Sequence, residues 1–311
     1  MLLRHANIMK RHALRLLFLA GRLVMRHAPG RRLRGFVFHA ICRRYINWRD
    51  LRCTARTQDG SVLDCLVSDL TPQRVIYFRV WEPNLTDFVR RTLRPGDVFV
   101  DVGANIGYFS LLAARLVGPA GGVVAIEASP AMTRVLSGNI ARNRATNVRI
   151  ANVAATERVG MVSLYAGAVG NAGTASILAG RGPAKEADVP CAPLSTILRR
   201  AEAAAVRLIK IDIEGSEAPV LRDILANLDH FPATVEIVTE LSPADLGRFG
   251  WSAEGVIAAF AAAGFAAYLL ANDYSDDAYV RRAPIAPPVP LTGIPAGQVD
   301  LVFSRRRVPQ L

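Results

Sequence analysis

An apolar run that passes through two glycines straight into a helical pattern is the feature that most constrains the fold of this chain. Residues 97–108 read DVFVDVGANIGY, and an amphipathic pattern follows. The run over 98–102 predicts a buried strand. Gly103 and Gly107 would let the backbone come close to a ligand, and the helix that follows would present free N–H groups to it. The segment therefore predicts a ligand-binding strand–turn–helix unit of an α/β domain.

The same alternation of strand and helix continues to about residue 268. The predicted strands are Val98–Val102, Val123–Glu127, Val148–Asn152, Leu208–Ile213 and Thr234–Thr239. The predicted helices are Tyr108–Val117, Ala131–Arg144, Glu217–Leu228 and Ala253–Ala263. Such alternation is typical of an α/β fold with a doubly wound, mostly parallel sheet that is covered on both faces.

The two ends of this pattern are different. The runs Ala266–Leu270 and Val299–Ser304 are joined by a proline-rich loop in which we see no helix, so we predict an antiparallel C-terminal strand pair. Before the parallel sheet, residues 53–77 predict short strands with a hairpin turn at 57–61, and residues 82–93 predict a helix. We therefore expect a basic extension over 1–50, a strand and helix lead-in over 51–95, and the main domain over 96–306.

The positive charge of the chain is concentrated at its N-terminus. The net charge is +12, and residues 1–50 hold twelve arginine and lysine side chains with one acidic side chain, Asp50. Leu16, Leu19 and Leu23 recur at helical spacing among arginines, which is typical of a basic amphipathic helix. The apolar run is too short to span a bilayer. A helix resting on an anionic membrane and a helix packed on the domain both fit this pattern. Nucleic-acid binding fits less well, because aromatic residues do not alternate with the arginines.

The four cysteines show no Cys-x-x-Cys pairing and no series of nearby histidines. This argues against a zinc site and a disulfide framework, and we expect buried thiols in a reducing compartment. The expected location is the cytoplasm, either free in it or peripheral to the inner face of the membrane.

Acidic residues at the predicted strand ends indicate the ligand. Asp101 lies at the carboxyl end of its strand, where open α/β sheets bind ligands. A carboxylate there would repel a pyrophosphate, but it suits the ammonium and sulfonium of S-adenosylmethionine. Glu127 ends the next strand, and an acid there can accept both ribose hydroxyls of an adenosyl group. Asn105 occupies a position at which the nicotinamide-binding pattern has glycine, which disfavours NAD as the ligand.

Two further segments supply candidate residues. The loop after the third strand passes near the adenine in this architecture, so Asn152 and Ala154 are candidate cofactor contacts. In KIDIEGSE at 210–217, strand alternation would send Asp212 and Glu214 to one face beside the crevice. One carboxylate would raise the pKa of the other, which suits a general base. Glu217 fits a site residue and the first turn of the next helix equally well.

With these segments in view, the chain resembles the FkbM family of methyltransferases. The matching stretches are DVGANIGYFSLLAA at 101–114, VVAIEASPAMTRVLSGNIARN at 123–143, LIKIDIEGSEAPVL at 208–221 and VDLVFSRR at 299–306. The resemblance implies a Rossmann-like class I methyltransferase fold, S-adenosylmethionine as donor, and O-methylation of a hydroxyl on a sugar, glycolipid or natural product. The cofactor-binding residues that the resemblance implies are Asp101, Gly103, Asn105, Gly107 and Glu127.

We therefore expect an in-line attack of a substrate oxygen on the sulfonium methyl, with Asp212 or Glu214 as the base and His230 as a weaker candidate. We predict no metal site, because no third oxygen ligand lies at a spacing from Asp212 and Glu214 that is typical of metal-binding motifs. The competing hypotheses are a nicotinamide-dependent oxidoreductase and a non-catalytic, membrane-associated domain that keeps the fold. The acceptor molecule, its regiospecificity and the oligomeric state are not encoded in any pattern we can interpret.

Overall fold

The structure is a computed structural model that describes residues 2–47, 51–168 and 170–306. The described residues of Met1–Glu82, Val169–Asn171 and Asp273–Pro284 form one compact unit, and those of Pro83–Ala168, Ala172–Asn272 and Ile285–Leu311 form another. The three-part division made from the sequence stays a prediction.

The first unit combines helices with a hairpin. Its elements are α1 (Leu2–His27), α2 (Arg31–Val37), a π-helical segment (Phe38–Ile46), β1 (Arg52–Arg56), β2 (Val62–Leu66), α3 (Leu70–Phe78) and, from later in the chain, α12 (Asp276–Arg281). The strands β1 and β2 pair antiparallel around the turn at 57–61, which confirms the predicted hairpin. The expectation of strands as far as residue 77 is wrong from residue 70 onwards. Asp69 accepts a hydrogen bond from the backbone N–H of Leu70 and so begins α3 there.

The second unit is built on one large sheet. Its strands are β3 (Val98–Val102), β4 (Gly122–Ile126), β5 (Val148–Ala151), β9 (Val206–Ile211), β10 (Glu236–Leu241), β11 (Ala266–Leu270), β12 (Val289–Pro290) and β13 (Val299–Ser304). They lie in the order β12–β11–β13–β10–β9–β3–β4–β5. The run from β10 to β5 is parallel, whereas β13 pairs antiparallel with both β10 and β11. This confirms the mostly parallel sheet and its antiparallel C-terminal pair.

Helices accompany the strands of this sheet. They are α4 (Pro83–Thr92), α5 (Tyr108–Val117), α6 (Pro130–Asn143), α7 (Leu194–Ile197), α8 (Arg200–Ala203), α9 (Glu217–Ala226), α10 (Pro243–Arg248) and α11 (Ala253–Ala262). Val98, Val100 and Val102 point into a core cluster that includes residues of α9 and α11. Asp101 points to the opposite face, towards α5, so the sheet is covered on both faces as expected.

Two details differ from the sequence-based expectations. A short helix, α12, lies between β11 and β13 in the chain, so the antiparallel pairing was predicted correctly from a premise that was wrong. A second, small sheet of β6 (Ala154–Ala155), β8 (Lys185–Ala192) and β7 (Gly160–Tyr165), in that order, was not predicted. The alternation in β8, where Ala187, Val189 and Cys191 face one core cluster, involves small residues and is a weak signal.

The structure also bears on the N-terminal helix and the thiols. α1 extends over 26 residues, and among the described residues no helix is long and apolar enough to cross a membrane. The four cysteines are free thiols, and Cys42, Cys65 and Cys191 are buried.

Candidate active site

The turn after β3 is shaped by backbone conformations that favour glycine. Gly103 and Gly107 have φ of +85° and +88°, and Asn105 also lies in the left-handed region at +50°. A Cβ on Gly103 would lie 1.9 Å from the backbone carbonyl oxygen of Asp212, and one on Gly107 would lie 2.6 Å from the side chain of Leu136. The glycines therefore allow this turn to pack against neighbouring loops and helices as well as near a ligand.

Asp101 is almost completely buried at the end of β3. Its Oδ2 accepts a hydrogen bond of 2.6 Å from the hydroxyl of Ser110 on α5. Its Oδ1 has no hydrogen-bond partner and lies 4.0 Å from Nζ of Lys210. Burial raises the pKa of Asp101, while Lys210 and the Ser110 hydroxyl counteract that rise. Asp101 thus presents a buried acceptor atom that no donor of the described chain satisfies.

Glu127 follows β4 and is fixed by the backbone at both of its oxygens. Oε2 accepts the N–H of Asn105 and Oε1 accepts the N–H of Ser129, each at 2.8 Å. Burial raises the pKa of Glu127 to about 7, although both hydrogen bonds act in the opposite direction. Asn105 thereby joins the β3 turn to the β4 turn, and its own side-chain Oδ1 is buried without a hydrogen-bond partner.

The structure gives Asn152 and Ala154 different surroundings. The side-chain amide of Asn152 donates to the carbonyl oxygens of Glu127 and Ala128, at 2.8 and 3.0 Å. It therefore supports the loop that carries Glu127. Ala154 is buried in the small sheet, where it is the strand partner of Cys191. A contact of either residue with adenine stays a prediction.

The second group of carboxylates follows β9. This strand ends at Ile211, so strand alternation does not extend to Asp212 and Glu214 as we predicted, and Glu214 has a left-handed φ of +55°. Lys210 donates to Oδ2 of Asp212 at 2.9 Å and places one ammonium between Asp212 and Asp101. Asp212 and Glu214 still interact electrostatically. The pKa of Glu214 is raised to about 7, first by burial and then by the charge of Asp212.

Glu217 occupies the first turn of α9. Its Oε1 accepts the backbone N–H groups of Ile213 and Gly215, at 3.2 and 3.0 Å. Glu217 is buried, and burial raises its pKa to about 7. This side chain therefore fixes the loop that carries Asp212 and Glu214.

Sequence reasoning missed Glu240, near the carboxyl end of β10. Burial raises its pKa to about 9, with Asp212, Glu217, Glu214 and Asp300 adding to the rise. The rule that selected Asp101 and Glu127, an acid at the end of a parallel strand, would also have selected Glu240. We predicted that this strand ends at Thr239, two residues too early, which left Glu240 outside it.

It also missed Arg181, in the loop between β7 and β8. Its guanidinium bridges Glu214 and Asp245, with Nη1 at 3.3 Å from Oε2 of Glu214. No local pattern marks this arginine, because its partners lie 33 and 64 residues away in the chain.

Two other sequence-based candidates can be placed. His230 is exposed in a short turn that precedes β10, whereas Asp212, Glu214 and Glu240 gather where parallel strands end. This disfavours His230 as a base for that site. Among the described residues, no group of three or more histidine, cysteine or acidic side chains has an arrangement that could hold a metal ion.

Comparisons with known proteins agree with this geometry. The family model described as the methyltransferase FkbM domain matches residues 101–267. The chain is 29% identical over 183 residues to the 31-O-demethyl-FK506 methyltransferase FkbM of Streptomyces tacrolimicus, which covers 49% of this chain and 68% of that protein.

Solved structures give more distant matches. A methyltransferase FkbM from Methylobacillus flagellatus KT is 16% identical with a TM-score of 0.40, covering 75% of this chain and 53% of that one. An S-adenosylmethionine-dependent O-methyltransferase from Thermotoga maritima is 12% identical with a TM-score of 0.40, covering 83% of this chain and 79% of that one. Likenesses this distant carry no information about the chemistry of this chain.

The strand order, with an antiparallel strand inserted beside β10 and acids at the ends of β3 and β4, defines the Rossmann-like class I methyltransferase fold. The family match covers more than half of the chain and includes both groups of carboxylates. The chain belongs to the FkbM methyltransferase family.

Proposed function

We propose that this protein transfers the methyl group of S-adenosylmethionine to a hydroxyl oxygen of a sugar, glycolipid or natural product. The observation that carries the cofactor assignment is the unsatisfied Oδ1 of Asp101, buried where β3 ends. A buried acceptor without a donor is costly, so such an atom suits a ligand that brings its own donor and positive charge. The ammonium of S-adenosylmethionine has both.

The other residues of the two turns fit the same cofactor. Glu127 has both oxygens positioned by backbone N–H groups and retains lone pairs that can accept ribose hydroxyls. Asn105 offers a second buried acceptor without a partner. When bound, the cofactor would supply an electrophilic methyl group on a sulfonium, with a neutral thioether as the leaving group.

The carboxylates after β9 fit the proton-transfer role. A base that works near neutral pH should have a pKa close to 7, and burial together with Asp212 brings Glu214 to that value. Both carboxylates are ion-paired, Asp212 with Lys210 and Glu214 with Arg181, so the raised pKa of Glu214 is the reason for assigning it the proton-accepting role and Asp212 a supporting role. Most of the acceleration would come from aligning the hydroxyl with the methyl group.

The test is calorimetric titration with S-adenosylmethionine, S-adenosylhomocysteine and NAD. We expect micromolar binding of the first two ligands and none of NAD. Asp101→Asn keeps the shape but removes the charge, and we expect it to weaken binding of S-adenosylmethionine by about 10- to 100-fold. The matched control is Asp97→Asn, the same change before the start of β3, where Asp97 accepts the N–H of Arg94. It should leave binding unchanged.

Other outcomes would overturn the proposal. Binding of NAD alone would favour an oxidoreductase, and no binding of any ligand would favour a non-catalytic domain. The O-methylation step is tested by following label from S-adenosylmethionine into a panel of saccharides, glycolipids and hydroxylated polyketides. The rate should rise with pH through about 7 as Glu214 loses its proton, and Glu214→Gln should bind the cofactor but lose this transfer.

A further inference from the structure

The helix α1 has two faces of opposite environment. Phe18 and Met25 are 7% and 1% exposed and belong to the buried face. Leu16, Leu19 and Leu23 are 67%, 56% and 62% exposed. At 3.6 residues per turn these leucines lie within about 60° of one another, roughly opposite the buried face. The helix is therefore packed on one side and presents an apolar stripe on the other.

The stripe belongs to a concentration of exposed apolar side chains. Thirteen large hydrophobic side chains of the described residues are exposed, and seven of them lie between residues 16 and 45. Besides those of α1, they include Leu33, Phe36 and Tyr45 at 51%, 66% and 50%. Single exposed hydrophobics are ordinary, but three leucines along one face of α1 form an apolar stripe, and such a stripe marks an interaction surface.

Exposed arginines accompany these side chains. They are Arg15, Arg31, Arg32, Arg43 and Arg44. Residues 1–50 together hold twelve basic side chains and one acidic side chain, while the rest of the chain is close to neutral. An apolar stripe in a segment with excess positive charge is complementary to a surface that has anionic groups outside and an apolar layer beneath them.

We propose that α1 lies flat in the interface of an anionic lipid bilayer. Leu16, Leu19 and Leu23 would enter the acyl-chain boundary, and the exposed arginines would meet anionic headgroups. The helix is about 39 Å long, which suits contact along its length, and no described helix can span a bilayer.

Two other occupants of this surface fit less well than a lipid bilayer. A second copy of this chain would bring an equally basic segment to the same surface, and like charges oppose that contact. A nucleic acid would match the arginines and the exposed rings of Phe36 and Tyr45, but it would leave the leucine stripe of α1 in water.

The test is sedimentation of the full-length protein with vesicles of phosphatidylcholine alone or with 30 mol% phosphatidylglycerol added. We expect binding to the anionic vesicles only. Leu16→Ser/Leu19→Ser/Leu23→Ser should weaken that binding on the order of 100-fold. The reason is that three leucine side chains would no longer be transferred from water into the bilayer. Arg31→Gln/Arg32→Gln/Arg44→Gln should weaken it to a similar degree.

The matched control is Val159→Ser/Met161→Ser, which removes two hydrophobic side chains that are 71% and 63% exposed outside this segment. It should bind vesicles like the parent protein. A Leu19→Trp variant gives an independent readout, since bromine on the lipid acyl chains should quench its fluorescence. These changes should not alter binding of S-adenosylmethionine, so failure here is distinguishable from failure of the proposed function.

The contrary outcomes are clear. Equal vesicle binding by the leucine variant and the control variant would overturn the insertion of α1. So would absence of quenching in Leu19→Trp. Binding of duplex DNA that persists in the leucine variant, with no vesicle binding, would favour nucleic acid. A dimer in solution that the leucine substitutions dissociate would favour a second copy of the chain.

Discussion

Hydrogen bonds between charged side chains and the backbone run in both directions in each unit, but one direction shapes the candidate site and the other joins segments of the first unit. In the second unit, backbone N–H groups donate to carboxylates, as they do to Glu127 and Glu217. In the first unit, arginine side chains donate to backbone carbonyls. Examples are Arg34 to Val280 and Ala28, and Arg282 to Arg26.

Bonds from arginine to carbonyl oxygens and bonds from backbone N–H groups to carboxylates serve different purposes. A guanidinium has five donors in a rigid fork, so one arginine can fasten several chain segments to each other. A carboxylate fixed by two N–H groups still has lone pairs for a ligand. The arginines of the first unit therefore hold its segments together, whereas the carboxylates of the second unit are held in place for chemistry. Three substitutions would break or sharpen this contrast.

The largest effect is expected from Gly103→Ala in the second unit. A Cβ there would meet the backbone carbonyl of Asp212 at 1.9 Å, and the residue would keep a left-handed φ of +85°. We expect the free energy of unfolding to fall by about 3 kcal/mol or more. Urea unfolding followed by circular dichroism measures it.

The control is Gly96→Ala, where φ is +93° but nothing lies within 4 Å of the added Cβ. It isolates the conformational cost, about 1 kcal/mol. Equal losses in the two variants would show that the contact between the β3 turn and the β9 loop is not what requires glycine at position 103.

Arg34→Met tests the role of the guanidinium in the first unit. Arg34 is 4% exposed, and Nε donates to Val280 while Nη1 donates to Ala28 and Pro29. Methionine keeps the aliphatic length but removes the donors to the buried Val280 carbonyl and the two part-buried carbonyls, so we expect a loss of about 2 to 3 kcal/mol. The midpoint of thermal unfolding reports it.

Arg32→Met is the matched change at an exposed arginine of the same helix, and it should change stability by less than about 0.5 kcal/mol. If Arg34→Met were equally neutral, the arginine-to-carbonyl bonds would not be what stabilises this unit.

The smallest effect is expected from Glu240→Gln. The pKa of Glu240 is raised to about 9, so its contribution to stability is fully present below its ordinary pKa near 4.5 and is lost as pH rises through 9. Glutamine removes this loss. The variant should be more stable than the parent at pH 9, and this gain should shrink as pH falls towards 5.

The measurement is urea unfolding at several pH values. Glu254→Gln, at an exposed position of α11, serves as the control and should show no such pH-dependent difference. A gain for Glu240→Gln that is independent of pH would contradict the raised pKa of Glu240 as its cause.

Much of the fold could be predicted because it depends on local patterns. The bounds of β3, α5, β11 and β13 were predicted to the residue. Strand ends were less certain, since β9 and β10 are displaced by two residues from their predicted positions, and this concealed Glu240. The small sheet was missed because the alternating apolar residues of β8 are small and give a weak signal.

Of the site, the sequence by itself determined which acids follow parallel strands. Asp101, Glu127 and Asp212 each come at the end of an apolar run, and parallel strands of one sheet bring such ends to the same edge. Only the tertiary structure decided which charges meet there. Lys210 lies between Asp101 and Asp212 because β3 and β9 are neighbours, and Arg181 reaches Glu214 from a distant loop. The physical reason is that local patterns specify elements, whereas ion pairs and pKa values depend on distances that only packing sets.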